Sequence, residues 1–72
     1  MIHILEDNYI DVSKLERISK IALHRVDYHY VYQFRYSVNG FTWDVTGEKC
    51  HLMKLREDLL HSWYLYKLGE IQ

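Results

Sequence analysis

Five histidines and one cysteine give this chain its widest chemical repertoire: His3, His24, His29, His51, His61 and Cys50. A structural zinc site would need them in close pairs, because tetrahedral zinc is gripped by short Cys-x-x-Cys and His-x-x-x-His spacings. Cys50 and His51 are adjacent, so on a helix they point about 100° apart. His24 and His29 stand on either side of a change in strand parity. The spacing therefore predicts no metal, and nothing predicts another cofactor. Cys50 as a nucleophile would need a base and an oxyanion hole. A place in the first turn of a helix lowers a thiol pKa, and His51 is adjacent, but no carboxylate is identified to orient that histidine. Core packing is the expected use of Cys50, as for many free cysteines. The paired carboxylates Glu6-Asp7 and Glu57-Asp58 fall in a turn and on the wet side of a helix. A domain this small has little room for a substrate pocket. There is also no glycine-rich phosphate loop and no HExxH helix. The chain is expected not to be an enzyme.

The elements that hold these residues follow from hydrophobic period. Val26, Tyr28, Tyr30, Tyr32, Phe34, Tyr36 and Val38 alternate with Asp27, His29, Val31, Gln33, Arg35 and Ser37. A period of two predicts a strand with one apolar and one wet face. Asn39-Gly40 follows, the pair best suited to a type I′ hairpin turn. Phe41, Trp43 and Val45 then alternate with Thr42 and Asp44. With that turn, Val38 faces Phe41, Tyr36 faces Trp43 and Phe34 faces Val45 on the apolar side. Ser37 faces Thr42 and Arg35 faces Asp44 on the wet side. A slip of one residue would expose Trp43. Residues 28–33 outrun the second strand and need a partner on their other flank, which 19–24 or the N-terminal strand 1–5 can supply. Ile21 and Leu23 have the opposite parity, so a break is expected at 24–27, as a plain connection rather than a bulge that re-aims side chains.

Val12, Leu15 and Ile18 recur every three residues, and Ser13 and Glu16 have capping-box spacing. This predicts one short helical turn, 3₁₀ in character, seating three apolar groups on the sheet. A helix is expected over 48–67, with Gly69 as its C′ residue. Its stripe of Leu52, Leu55, Leu59, Trp63 and Tyr66, flanked by Met53, Leu60 and Tyr64, should lie across the hairpin's apolar face. Phe34, Tyr36, Val38, Phe41, Trp43 and Val45 would then form the core beneath it. The fold class expected is α+β. It comprises an antiparallel three- to four-stranded sheet with an Asn-Gly hairpin, one long C-terminal helix on one face and one short helical turn near the N-terminus. Residues 1–72 make a single small domain.

Composition narrows the partner. The formal net charge is −1, whereas a dedicated nucleic-acid binder is usually clearly basic. One cysteine excludes an intrachain disulfide and suits a reducing compartment. The first residues lack the basic and apolar regions of a signal peptide, and no stretch approaches the roughly 18 apolar residues of a membrane span. A cytoplasmic protein with no membrane partner is expected. Seven tyrosines and two tryptophans are residue types favoured at binding hot spots.

The leading expectation is a non-enzymatic protein-binding module. Its partner would be a host protein or a larger complex, met through Tyr28, Tyr30, Tyr32, Leu65 and His61. An exposed strand edge adds homodimerisation as a second kind of partner. The alternative is a small nucleic-acid-binding or regulatory domain using a polar, basic sheet face of Arg25, His29, Gln33 and Arg35. In size and character the chain resembles the small accessory proteins of phages and mobile elements, including inhibitors of host defence. That resemblance implies inhibition of a host protein by occluding its surface.

Overall fold

A computed structural model describes the backbone of residues 1–71 and the side chains of residues 1–69. Asn39 and Gly40 adopt φ of 52° and 86°. Both therefore occupy the left-handed region that a type I′ turn demands and that Asn and Gly tolerate best. On either side of this turn the ladder has the expected register: Val38 opposite Phe41, Tyr36 opposite Trp43, Phe34 opposite Val45, Arg35 opposite Asp44.

The chain is α+β. In order it forms β1 (Ile2–Leu5), β2 (Asn8–Asp11), a 3₁₀ turn (Val12–Lys14), β3 (Leu15–Ile18), β4 (Ala22–Val26), β5 (His29–Val38), β6 (Phe41–Gly47) and α1 (Lys49–Ile71). β1 and β2 make a two-stranded antiparallel sheet of their own. β5 is the spine of the larger, four-stranded sheet. It pairs with β6 along one flank, and with β3 and β4, placed end to end, along the other.

The alternating run of residues 26–38 is not one strand. The chain reverses at Asp27-Tyr28, where Asp27 takes φ of 54°, a conformation its short polar side chain tolerates. Val26 thus faces His29 across a tight turn. The break expected at 24–27 is this plain connection. It makes residues 22–33 a hairpin, which supplies the flank partner that β5 required.

The flank formed by β3 and β4 is irregular. Leu15 faces Val38 but Arg17 faces Ser37, so Glu16 is an extra residue. Between Ile18, opposite Tyr36, and Ala22, opposite Gln33, three residues span two of β5. Ser19 repairs this gap: its N–H donates to the Arg35 carbonyl at 2.7 Å, and its hydroxyl accepts from the Arg35 N–H at 2.8 Å. Arg56 of α1 donates to the Ser19 carbonyl at 2.7 Å and ties the helix to this junction.

Helix α1 and the β1–β2 hairpin cover one face of the large sheet. Leu5, Ile10, Leu15, Phe34, Tyr36, Val45, Leu52 and Leu59 form the core, each fully buried large side chain contributing ~1.5–3 kcal/mol. The helix outlasts its predicted end, because Gly69 lies within it. Gly costs a helix interior only about 1 kcal/mol, so the glycine alone does not stop it. The 3₁₀ turn is capped by Asp11, whose carboxylate accepts from both the hydroxyl and the N–H of Ser13. The expected Ser13–Glu16 capping box does not form; Glu16 instead accepts from the Gly40 N–H and steadies the hairpin turn. Cys50 is exposed rather than packed in the core.

Candidate functional site

Cross-strand partners share a face of a sheet, so register sorts every candidate residue. Leu23 pairs with Tyr32 and Arg25 with Tyr30, which places all four on the face that also bears Phe34 and Tyr36. His29, Gln33 and Arg35 lie on the opposite, open face. The expected basic face is therefore split, because Arg25 points to the aromatic side. Arg35 is also engaged: its Nε donates to Asp44 at 2.6 Å. That bond holds the Asp44 carboxyl below the usual carboxylate range and raises the Arg35 guanidinium. The stabilisation from this pair is present at neutral pH and is lost as pH falls through the lowered value.

The tyrosine row is graded. Tyr36 is buried, which together with the Glu6 charge pushes its hydroxyl pKa up. Tyr32 is half-buried against the core, with the Lys49 ammonium 5.8 Å from its ring centroid. Tyr30 is 63% exposed, and Tyr28, at the turn, is 98% exposed. Every residue of β4 is exposed, and its packing is almost wholly against β5. Beyond Tyr32, whose ring packs on the core, the β4–β5 hairpin is thus an arm with no core beneath it. It carries Leu23 and Tyr30 on one face, Val26 on the other and Tyr28 at the tip.

Leu23 and Val26 belong to this surface and were missed from the sequence. Recognising Asp27-Tyr28 as a turn would have found them, since it sets residues 22–26 directly against 29–33. Leu65 and His61 do not join the tyrosines. Both are exposed on the outer side of α1, and Leu65 lies ~24 Å along the helix axis from the Lys49 end that meets Tyr32. Tyr64 and Leu68 are exposed beside them, and Met53 is exposed nearer the helix start. The tyrosine arm and the helix patch are separate surfaces.

The core beneath the helix is smaller than the strand pattern predicts. Phe34, Tyr36 and Val45 are buried and Val38 is partly so, but Phe41 is 68% and Trp43 51% exposed. They lie toward the free edge of β6. A groove of about 310 Å³ separates them from β2 and is lined by Tyr9, Tyr36, Trp43, Asp11 and Lys14 among others. Its one carboxylate, Asp11, already accepts from Ser13.

The histidines are scattered. His3 bonds the Ser62 hydroxyl at 2.6 Å and His51 lies 3.4 Å from Glu6, while His24 and His29 sit on the open sheet face and His61 on α1. Among the described residues, no group of three or more His, Cys, Asp or Glu side chains is placed to hold a metal ion. No helix among them is long and apolar enough to cross a membrane. Comparison with protein-family models, with curated proteins and with solved structures found no match.

Proposed function

We propose that this chain is a non-enzymatic protein-binding module that acts by occluding a partner's surface with its β4–β5 arm. The observation that carries the reading is the apolar exposure of that arm: Tyr28, Tyr30, Leu23 and Val26 are 98%, 63%, 56% and 42% exposed. A two-stranded ribbon is marginal in water on its own. Exposed tyrosine and leucine on such a ribbon add only cross-strand contacts to the fold, but suit the buried centre of an interface, where aromatic anchors dominate affinity. Leu23 and Tyr30 lie on one face of the arm and Val26 on the other, with Tyr28 at the tip, so the arm offers apolar side chains on both of its faces.

The test replaces Leu23, Tyr28 and Tyr30 together with Ser and compares capture of partners from cells by this variant and by the wild type. Each residue is exposed, so the thermal unfolding curve should stay within a few degrees of wild type, while capture falls by about 100-fold or more, the sum of two or more hot-spot losses. Unchanged capture, or a variant that no longer folds, removes the arm from the interface reading. The same preparations should show no binding to mixed DNA and RNA at low salt. Steeply salt-dependent binding would instead favour the open face bearing His29, Gln33 and Arg35.

A further inference from the structure

The two edges of the large sheet are treated differently. The β3–β4 edge is interrupted by two register shifts and carries Arg17, Lys20 and Arg25. Bulges and cations of this kind keep strand edges from pairing with other chains. The β6 edge has neither device. Its seven residues pair with β5 without a shift, it contains no lysine, arginine or proline, and Phe41 and Trp43 stand exposed along it.

The ladder also dictates which backbone groups are free. In a two-residue hairpin the pair flanking the turn, Val38 and Phe41, is hydrogen-bonded, and bonded pairs then alternate along the strands. Phe41, Trp43 and Val45 therefore bond toward β5, whereas the amides and carbonyls of Thr42, Asp44 and Thr46 point outward from the sheet. That row is a template for one more antiparallel strand.

We propose that the strand is β6 of a second copy, joined about a two-fold axis at Trp43. The sequence selects this register. Centred on Asp44, the pairing would set two carboxylates directly opposite each other, which is unfavourable. Centred on Thr42, it would overlap for only the first few residues. Centred on Trp43, it places Thr42 opposite Asp44 of the second copy in bonded pairs and Phe41 opposite Val45. The two indoles then meet in the closer, non-bonded pair at the axis. Apolar side chains face apolar ones, no like charges oppose, and every outward amide of Thr42 and Asp44 gains an acceptor. An isologous contact closes at two copies. Because β4 lies on the other flank of β5, both arms stay open, and this inference does not rest on the arm's role.

Sedimentation from about 5 µM to about 500 µM, a span that covers weak self-association, should show the wild type passing from monomer to dimer. Thr42→Pro removes an outward backbone donor and the Thr42 hydroxyl's 3.3 Å bond to Ser37 but leaves the backbone ladder to β5 intact; Trp43→Lys sets two cations against each other at the axis. Both variants should remain monomeric throughout. Amide exchange in the wild type gives an independent readout. Thr42 and Asp44 should gain protection as concentration rises, whereas Trp43 and Val45, already bonded to β5, should be protected at all concentrations. A wild type that stays monomeric overturns the proposal. So does a dimer that persists in folded Thr42→Pro and Trp43→Lys variants. If either variant fails to fold, Thr42 and Asp44 protection that is indifferent to concentration overturns it.

Discussion

Phe34→Ala is expected to remove a large share of the domain's stability, whereas Trp43→Ala is expected to leave it nearly as stable as the wild type. A domain of this length has a total stability of roughly 4–11 kcal/mol. Phe34 is 1% exposed, at the centre of β5, and belongs to the buried core with Val45, Leu52 and Leu59. Truncating a fully buried phenylalanine costs about 3–5 kcal/mol, through lost transfer energy and the cavity left behind. That consumes most of the margin in the lower half of its range. Trp43 is larger, but it is 51% exposed and borders an open groove rather than the core. Its removal leaves no enclosed cavity, and the loss should stay near 1 kcal/mol. Urea unfolding followed by circular dichroism separates the two cases. Equal midpoints for the two variants would show that the sheet face over Trp43 is covered in solution, contrary to the structure.

This contrast shows where the sequence was legible. Alternation identified the face of every residue in β5 and β6, because register follows from the Asn-Gly turn alone. It could not say how far along that face the cover extends. Helix α1 and the β1–β2 hairpin together reach Phe34, Tyr36 and Val45 but leave Phe41 and Trp43 open, and coverage of that kind is a property of packing rather than of period. The three-residue spacing of Val12, Leu15 and Ile18 misled for a different reason. From Val12 to Leu15 it reflects the 3₁₀ turn, as expected, since i and i+3 eclipse there. From Leu15 to Ile18 it reflects the extra residue Glu16 in a strand, which brings an odd and an even position to one face. Two devices produced one period, and β3 was hidden inside it.

The candidate surface was half legible. Tyr28 and Tyr30 were singled out because they outran β6, and they are the two most exposed tyrosines of the β4–β5 hairpin. The same argument included Tyr32, which β6 in fact reaches through Gly47. Leu23 and Val26 escaped notice because residues 26–38 kept their alternation through a turn that contains no glycine. Asp27 carries the positive φ instead, and an Asp-Tyr pair is not a usual hairpin signal.

The β1–β2 hairpin supports the last large effect. Leu5→Ser with Ile10→Ser should abolish cooperative folding of the whole domain rather than release the hairpin alone. The hairpin cannot stand by itself, since two strands without a packed face are marginal in water. Its only deep anchors are Leu5, 1% exposed, and Ile10, 2% exposed, both part of the one core cluster. His3 adds a bond to Ser62 of α1, and Val12 of the following 3₁₀ turn donates its N–H to the Met1 carbonyl. The hairpin is thus coupled to α1 and to the 3₁₀ turn that follows it. Burying two hydroxyls in place of two aliphatic side chains loses about 2–5 kcal/mol of packing at each site, and any hydroxyl left unpaired adds ~1–3 kcal/mol. The sum, about 4–16 kcal/mol, is as large as the roughly 4–11 kcal/mol available to a chain of this length. A broad, non-cooperative melt and collapsed amide dispersion are the expected result. A variant that keeps a sharp transition near the wild-type temperature, with only β1 and β2 losing exchange protection, would show instead that the four-stranded sheet and α1 form a core sufficient without the hairpin.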